Sequence, residues 1–67
     1  MRLARILGTN VRRFRKERGL SQEALADEVG LAVTYVGQIE RGARNPTLDV
    51  VERFAKVLGV KPLELLQ

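Results

Sequence analysis

The sequence predicts an all-α fold of five short helices. Three observations carry that expectation. Apolar residues recur at spacings of three and four along nearly the whole chain. No segment alternates convincingly as a strand. Glycines that commonly close helices, and hydroxyl residues that commonly open them, fall between the periodic stretches.

Taken in order, Leu3, Leu7, Val11, Phe14 and Arg18 form one stripe and predict a first helix over about residues 3–18, stopped by Gly19. Ser21 reads as the N-cap of a second helix over residues 22–29, with Leu25, Ala26 and Val29 on its inner face. The reciprocal capping box is absent, because Ala24 stands where a Glu or Gln would complete it. Gly30 ends this helix and Leu31 sits in the turn. A third helix is expected over residues 33–41, with Val36, Ile39 and Glu40 inward, and Gly42 closes it. Thr47 caps a fourth, whose inner face carries Leu48, Val51, Phe54, Ala55 and Leu58 before Gly59. Pro62 suits the first turn of a last helix over residues 62–66. The second and third helices, over about residues 21–41 and joined by a tight turn containing Gly30, have the form of a helix-turn-helix.

The totals narrow the function. With 67 residues, 1–67 is read as a single domain with a marginal core. Cys and His are both absent, which removes disulfides, thiolate metal sites and the commonest acid–base group. An enzyme is therefore not expected, and neither is a cofactor or a metal. The net charge of +4 favours an anionic partner. No apolar run is long enough to cross a bilayer and the first residues carry no signal-peptide core, so a cytoplasmic protein with no membrane partner is expected. The length leaves no room for a ligand-sensing domain, so no small-molecule ligand is expected.

The third helix holds the most informative residues. Val33, Thr34, Gly37, Gln38 and Arg41 are expected to point outward, on a face free of acids. Gln can pair with adenine, and a Val or Thr methyl can meet the methyl of thymine. Gly37 keeps the face slim enough to lie in the major groove of double-stranded DNA. Arg41, Arg44 and Asn45 follow the helix. Gln22 opens the second helix, where free N–H groups attract phosphate. Such backbone contacts supply most of the affinity and set the register. Arg12, Arg13, Lys16 and Lys56, taken singly, read as solubilising charges.

Arg15 and Glu40 each lie at the edge of an apolar stripe. Charges there are tolerated only when paired, so a structural ion pair between them is expected. At the other end, Val60, Leu63 and Leu66 have little chain left to cover them, and such a patch marks an interface.

The stretch from Leu20 to Val60, LSQEALADEVGLAVTYVGQIERGARNPTLDVVERFAKVLGV, resembles the phage-repressor/Cro-type (XRE) helix-turn-helix family. TYVGQIERGARNPTL looks especially like small restriction–modification controller proteins. The resemblance implies a five-helix lambda-repressor-like domain, a homodimer on a pseudo-palindromic operator, and the third helix in the major groove. By position it implies base-facing roles for Val33, Thr34, Gly37 and Gln38. It implies backbone roles for Gln22, Tyr35, Arg41, Arg44 and Asn45, with Tyr35 able to reach a base. It places the dimer contact at Val60, Leu63 and Leu66, and agrees with the Arg15–Glu40 pair. The chain departs from the family at Ala32, which cannot cap the third helix, and at Val33, a position often polar in relatives. Gly37 supplies no side chain to a base. Readout is therefore expected to rest on Thr34 and Gln38, helped by DNA shape. The rival expectation is a protein-binding adaptor or antitoxin module of the same fold.

Overall fold

The computed structural model describes residues 2–67. Five helices follow in order: α1 (Arg2–Glu17), α2 (Gln22–Val29), α3 (Val33–Glu40), α4 (Leu48–Leu58) and α5 (Pro62–Leu65). There is no strand among the described residues. The core is built where α1 crosses α3 and α5 while α2 packs on α3 and α4. Phe54, Leu25, Ile39, Leu65, Val11 and Val36 are its fully buried side chains.

The expected caps form. Ser21 Oγ accepts from the Ala24 amide at 3.0 Å, and Thr47 Oγ1 accepts from the Val50 amide at 3.3 Å. Gly30 ends α2 in the left-handed region, with φ of 75°, which a β-carbon would oppose; the chain can therefore turn sharply into α3.

Ala32 holds the extended N-cap geometry of α3 (φ −68°, ψ 142°) but offers no acceptor. Ala32→Ser should therefore stabilise the protein by about 1 kcal/mol. For a domain of this size that is a rise of roughly 4–8 °C in the midpoint of thermal unfolding. An unchanged midpoint would show that the first-turn amides of α3 gain nothing from a local acceptor.

The stripe expected on the first helix is corrected. Its buried line runs through Ala4, Leu7, Gly8, Val11 and Arg15, with Asn10 beside it, whereas Leu3 is 45% exposed and Arg18 lies in solvent. Gly8 lets the backbone of Ile39 and Glu40 approach, so the contact line rotates away from Leu3 toward it. Leu48, expected inside α4, is 76% exposed, because it occupies the first position of the helix, ahead of the turn that meets the core. Helices α1, α3 and α5 each stop one residue short of expectation; Arg41 caps α3.

Three polar ties hold the helices at their ends. Asn10, buried in α1, donates from Nδ2 to the carbonyl of Leu65 at 2.9 Å, with Gln67 O at 3.2 Å. Arg53 on α4 donates to the Val29 carbonyl at the end of α2. Arg18 donates to Val57 O at 2.8 Å near the end of α4. Each satisfies carbonyls that a helix end leaves without partners.

Candidate nucleic-acid interface

The position of α3 is set from behind. Gly8 of α1 lies against the end of α3: a β-carbon built there would stand 2.2 Å from Ile39 O and 2.8 Å from Glu40 O. Only a residue without a side chain allows this approach. One helical turn and three residues on, Arg15 Nε donates to Glu40 Oε2 at 2.6 Å, and Nη2 donates to Oε1 at 3.1 Å. The pair is bidentate, and both side chains are largely out of water, at 10% and 3% exposure. A third Arg15 nitrogen, Nη1, donates to Leu20 O at 2.8 Å. The ion pair expected from the sequence is therefore formed.

Glu40 also accepts from Gln22 Nε2 at 3.0 Å, so one carboxylate joins α1, α2 and α3. The sequence puts Gln22 at the opening of α2, toward a phosphate. It does open α2, but one amide proton is committed to Glu40 and the second remains for a ligand.

Gly37 is corrected from the outward face to a buried position. Its α-carbon looks toward Arg41 Nη1 and the Gln22 amide, which stand 3.4 and 3.7 Å from where a β-carbon would be. The helix is slim here, and two flexible polar side chains occupy the space the glycine leaves.

On the outward edge, Val33 and Thr34 are exposed and Gln38 is half-exposed. Arg44 reaches back from the following loop and donates from Nε to Gln38 Oε1 at 2.9 Å. Its guanidinium also lies over the Tyr35 ring, 5.5 Å from the centroid. Tyr35 is half-buried and packs against the core. The triad of Tyr35, Gln38 and Arg44 is thus preassembled, and Arg44 orients the Gln38 amide so that Nε2 carries the donors left for a ligand. Arg41 and Asn45 are exposed on the same segment.

On α1, Arg12 and Lys16 are exposed, and Arg13 faces Glu17 at 3.8 Å in an exposed pair of little energetic weight. Lys56 is likewise exposed, on α4. At the other end, Leu63 is 64% exposed, but Val60 and Leu66 are half-buried and packed on the core, which corrects the expectation that little covers them. Leu65, which the sequence reading passed over, is fully buried. Two further exposed apolar residues, Leu3 and Leu48, line a shallow groove with Pro46 and Leu66.

Sequence reasoning also passed over Arg2 and Arg5, which the fold brings beside Arg41 and Gly42. The signal was present as two arginines near one turn apart at the start of α1. No group of acids among the described residues could hold a metal ion, and no described helix is long and apolar enough to cross a membrane.

A family model described as helix-turn-helix matches residues 11–65. Control protein C.BamHI of Bacillus amyloliquefaciens is 47% identical over 62 residues, covering 91% of this chain and 76% of that protein. The crystal structure of the restriction-modification controller protein C.AhdI from Aeromonas hydrophila superposes with a TM-score of 0.88 at 42% identity, covering 92% of this chain and 94% of that one. The biofilm regulator SinR, crystallised in complex with DNA, gives a TM-score of 0.86 at 35% identity, over 91% of this chain and 98% of that one; SinR is known from Bacillus subtilis.

Proposed function

Because the chain belongs to the helix-turn-helix family of DNA-binding transcription regulators, and is of the kind that includes the restriction–modification controllers, we propose that it reads a specific double-stranded DNA sequence as a homodimer. Its operator is pseudo-palindromic, with α3 of each subunit in a major groove. The observation that carries this reading is the outward edge of α3. It offers Thr34 and an oriented Gln38 amide, flanked by Arg41 and Arg44, which have no acidic partner among the described residues.

Each residue then has a role. Thr34 and Gln38 meet base edges, and Val33 offers a methyl surface to thymine. With Oε1 held by Arg44, the Gln38 Nε2 donors favour an acceptor on the base, such as N7 of a purine or O4 of thymine. Gly37, buried beneath Gln22 and Arg41, takes no base-reading role. Gln22, Tyr35, Arg41, Arg44 and Asn45 meet the sugar–phosphate backbone, fix the register and supply the salt-dependent part of the affinity. Val60, Leu63 and Leu66 form the dimer contact, with Leu63 as its most exposed member. Occupancy of a promoter site would then block or recruit polymerase.

Selection from a random duplex library in about 0.15 M salt tests this reading. An enriched two-fold symmetric motif is expected, whose half-site spacing reports the dimer geometry. Binding that fades with salt and enriches nothing would leave a nonspecific basic domain and end the base-reading roles. In the same assay, Gln38→Ala is expected to flatten the preference at one position of each half-site, a loss of about 1–3 kcal/mol per contact. A uniform loss across all sequences would instead make Gln38 a backbone contact.

A further inference from the structure

A second basic site lies to one side of α3. Arg2 and Arg5, on the first turns of α1, line a polar cleft with Arg41 and Gly42 at the end of α3. The cleft measures about 350 Å³, and no other described residue lines it. Its approach is tight: a β-carbon on Gly42 would stand 3.1 Å from the α-carbon of Arg5. None of the three arginines forms an ion pair among the described residues, where the pairs are Arg13–Glu17 and Arg15–Glu40.

Three like charges around one opening repel, and no acidic side chain among the described residues pairs with them. The helix ends do not change that sign. The N-terminus of α1 adds roughly half a positive charge and the C-terminus of α3 roughly half a negative one, so they nearly cancel. Three full guanidinium charges remain. A guanidinium is the side chain best matched to phosphate, which it can hold with two parallel hydrogen bonds.

We propose that Arg2, Arg5 and Arg41 form a phosphate-binding cleft that clamps a DNA backbone phosphate next to the end of α3. The site rests on the reading of α3 as a DNA-contacting helix, since Arg41 belongs to both. Through it α1, whose middle arginines are unremarkable, becomes a second line of backbone contact. The cleft reads no bases; it adds affinity and fixes how α3 is angled along the groove.

The test compares wild type, Arg2→Gln with Arg5→Gln, and Lys56→Gln on the selected duplex across a salt series. Both arginines are exposed, so the double variant is expected to fold with a thermal midpoint at or slightly above that of wild type. Its plot of log affinity against log salt should be shallower by about one unit per bound subunit, with the sequence motif intact. Lys56→Gln should keep the wild-type slope. In a second arm, thermal unfolding without DNA is followed with excess inorganic pyrophosphate. A wild-type stabilisation that the double variant lacks, combined with an unchanged salt slope on DNA, would assign the cleft to free phosphates instead of the backbone. If wild type binds DNA but the double variant keeps both its slope and its pyrophosphate response, the cleft is overturned while the DNA-reading function stands. If wild type binds no DNA, the function falls, and pyrophosphate stabilisation alone decides the cleft.

Discussion

Gly8→Ala is expected to destabilise the protein severely, although on local grounds it should help. In a helix interior, alanine is favoured over glycine by about 1 kcal/mol. At position 8 the new methyl would stand 2.2 Å from Ile39 O, 2.8 Å from Glu40 O and 3.0 Å from Glu40 C, all of them backbone atoms that cannot rotate away. Helices α1 and α3 must separate, which opens the buried cluster that holds Leu7, Val11, Val36 and Ile39. Overpacking of a core costs about 1–3 kcal/mol, and more where nothing can yield. The net effect should reach about 3 kcal/mol, or roughly 12–24 °C in thermal midpoint. Gly37→Ala is the internal comparison. Its methyl would meet the far ends of Arg41 and Gln22 at 3.4 Å or more, so the helical gain should survive. Thermal unfolding of the two variants side by side checks the argument; equal midpoints would remove the close approach of α1 to α3 as a determinant of the fold.

The second large effect concerns the buried pair. Arg15→Met leaves the Glu40 carboxylate 3% exposed, with Gln22 as its remaining partner. Removing one member of a buried pair costs about 3–5 kcal/mol. A chain of 67 residues has a total stability of only roughly 3–10 kcal/mol. The single variant should therefore lose roughly half of its stability or more and keep only a thin margin at ordinary temperature. Arg15→Met combined with Glu40→Leu should recover most of that loss, because apolar replacement of a whole buried pair is close to neutral. Urea unfolding of the two single variants and the double variant closes the cycle and measures the coupling. A single variant that loses under about 1 kcal/mol would mean that water or rearrangement reaches Glu40 after all.

The local signals in the sequence carried most of the fold. Ser21 and Thr47 cap as their chemistry suggests, and Gly30 turns the chain between α2 and α3. The spacing of Leu25, Ala26 and Val29 puts them inside. The pairing of Arg15 with Glu40 was legible because each charge sits where an apolar residue would be expected. What escaped depends on distance in space. Leu3 and Leu48 fit their stripes but lie at helix starts, where no neighbouring element covers them. Gly37 counts as outward by period, yet Gln22 and Arg41 fold over it. Asn10 interrupts an apolar stripe without saying why; its reason is the carbonyls of the last residues, 55 and 57 positions away. The link between Arg44 and Gln38 spans a loop whose path no periodicity describes.

The close seat of Gly8 under α3 has a mechanical meaning. A helix fixed backbone to backbone on one side, and by a bidentate ion pair at its end, cannot tilt or slide without breaking the core. On meeting a duplex, the compliant partner is then the DNA, together with the few exposed side chains along the edge of α3. Sequences that bend or narrow easily at the right step would be taken up, and stiff ones refused, at positions the protein never touches. On the proposed reading, the stiffness that holds a 67-residue chain together would become a gauge against which the shape of the duplex is measured.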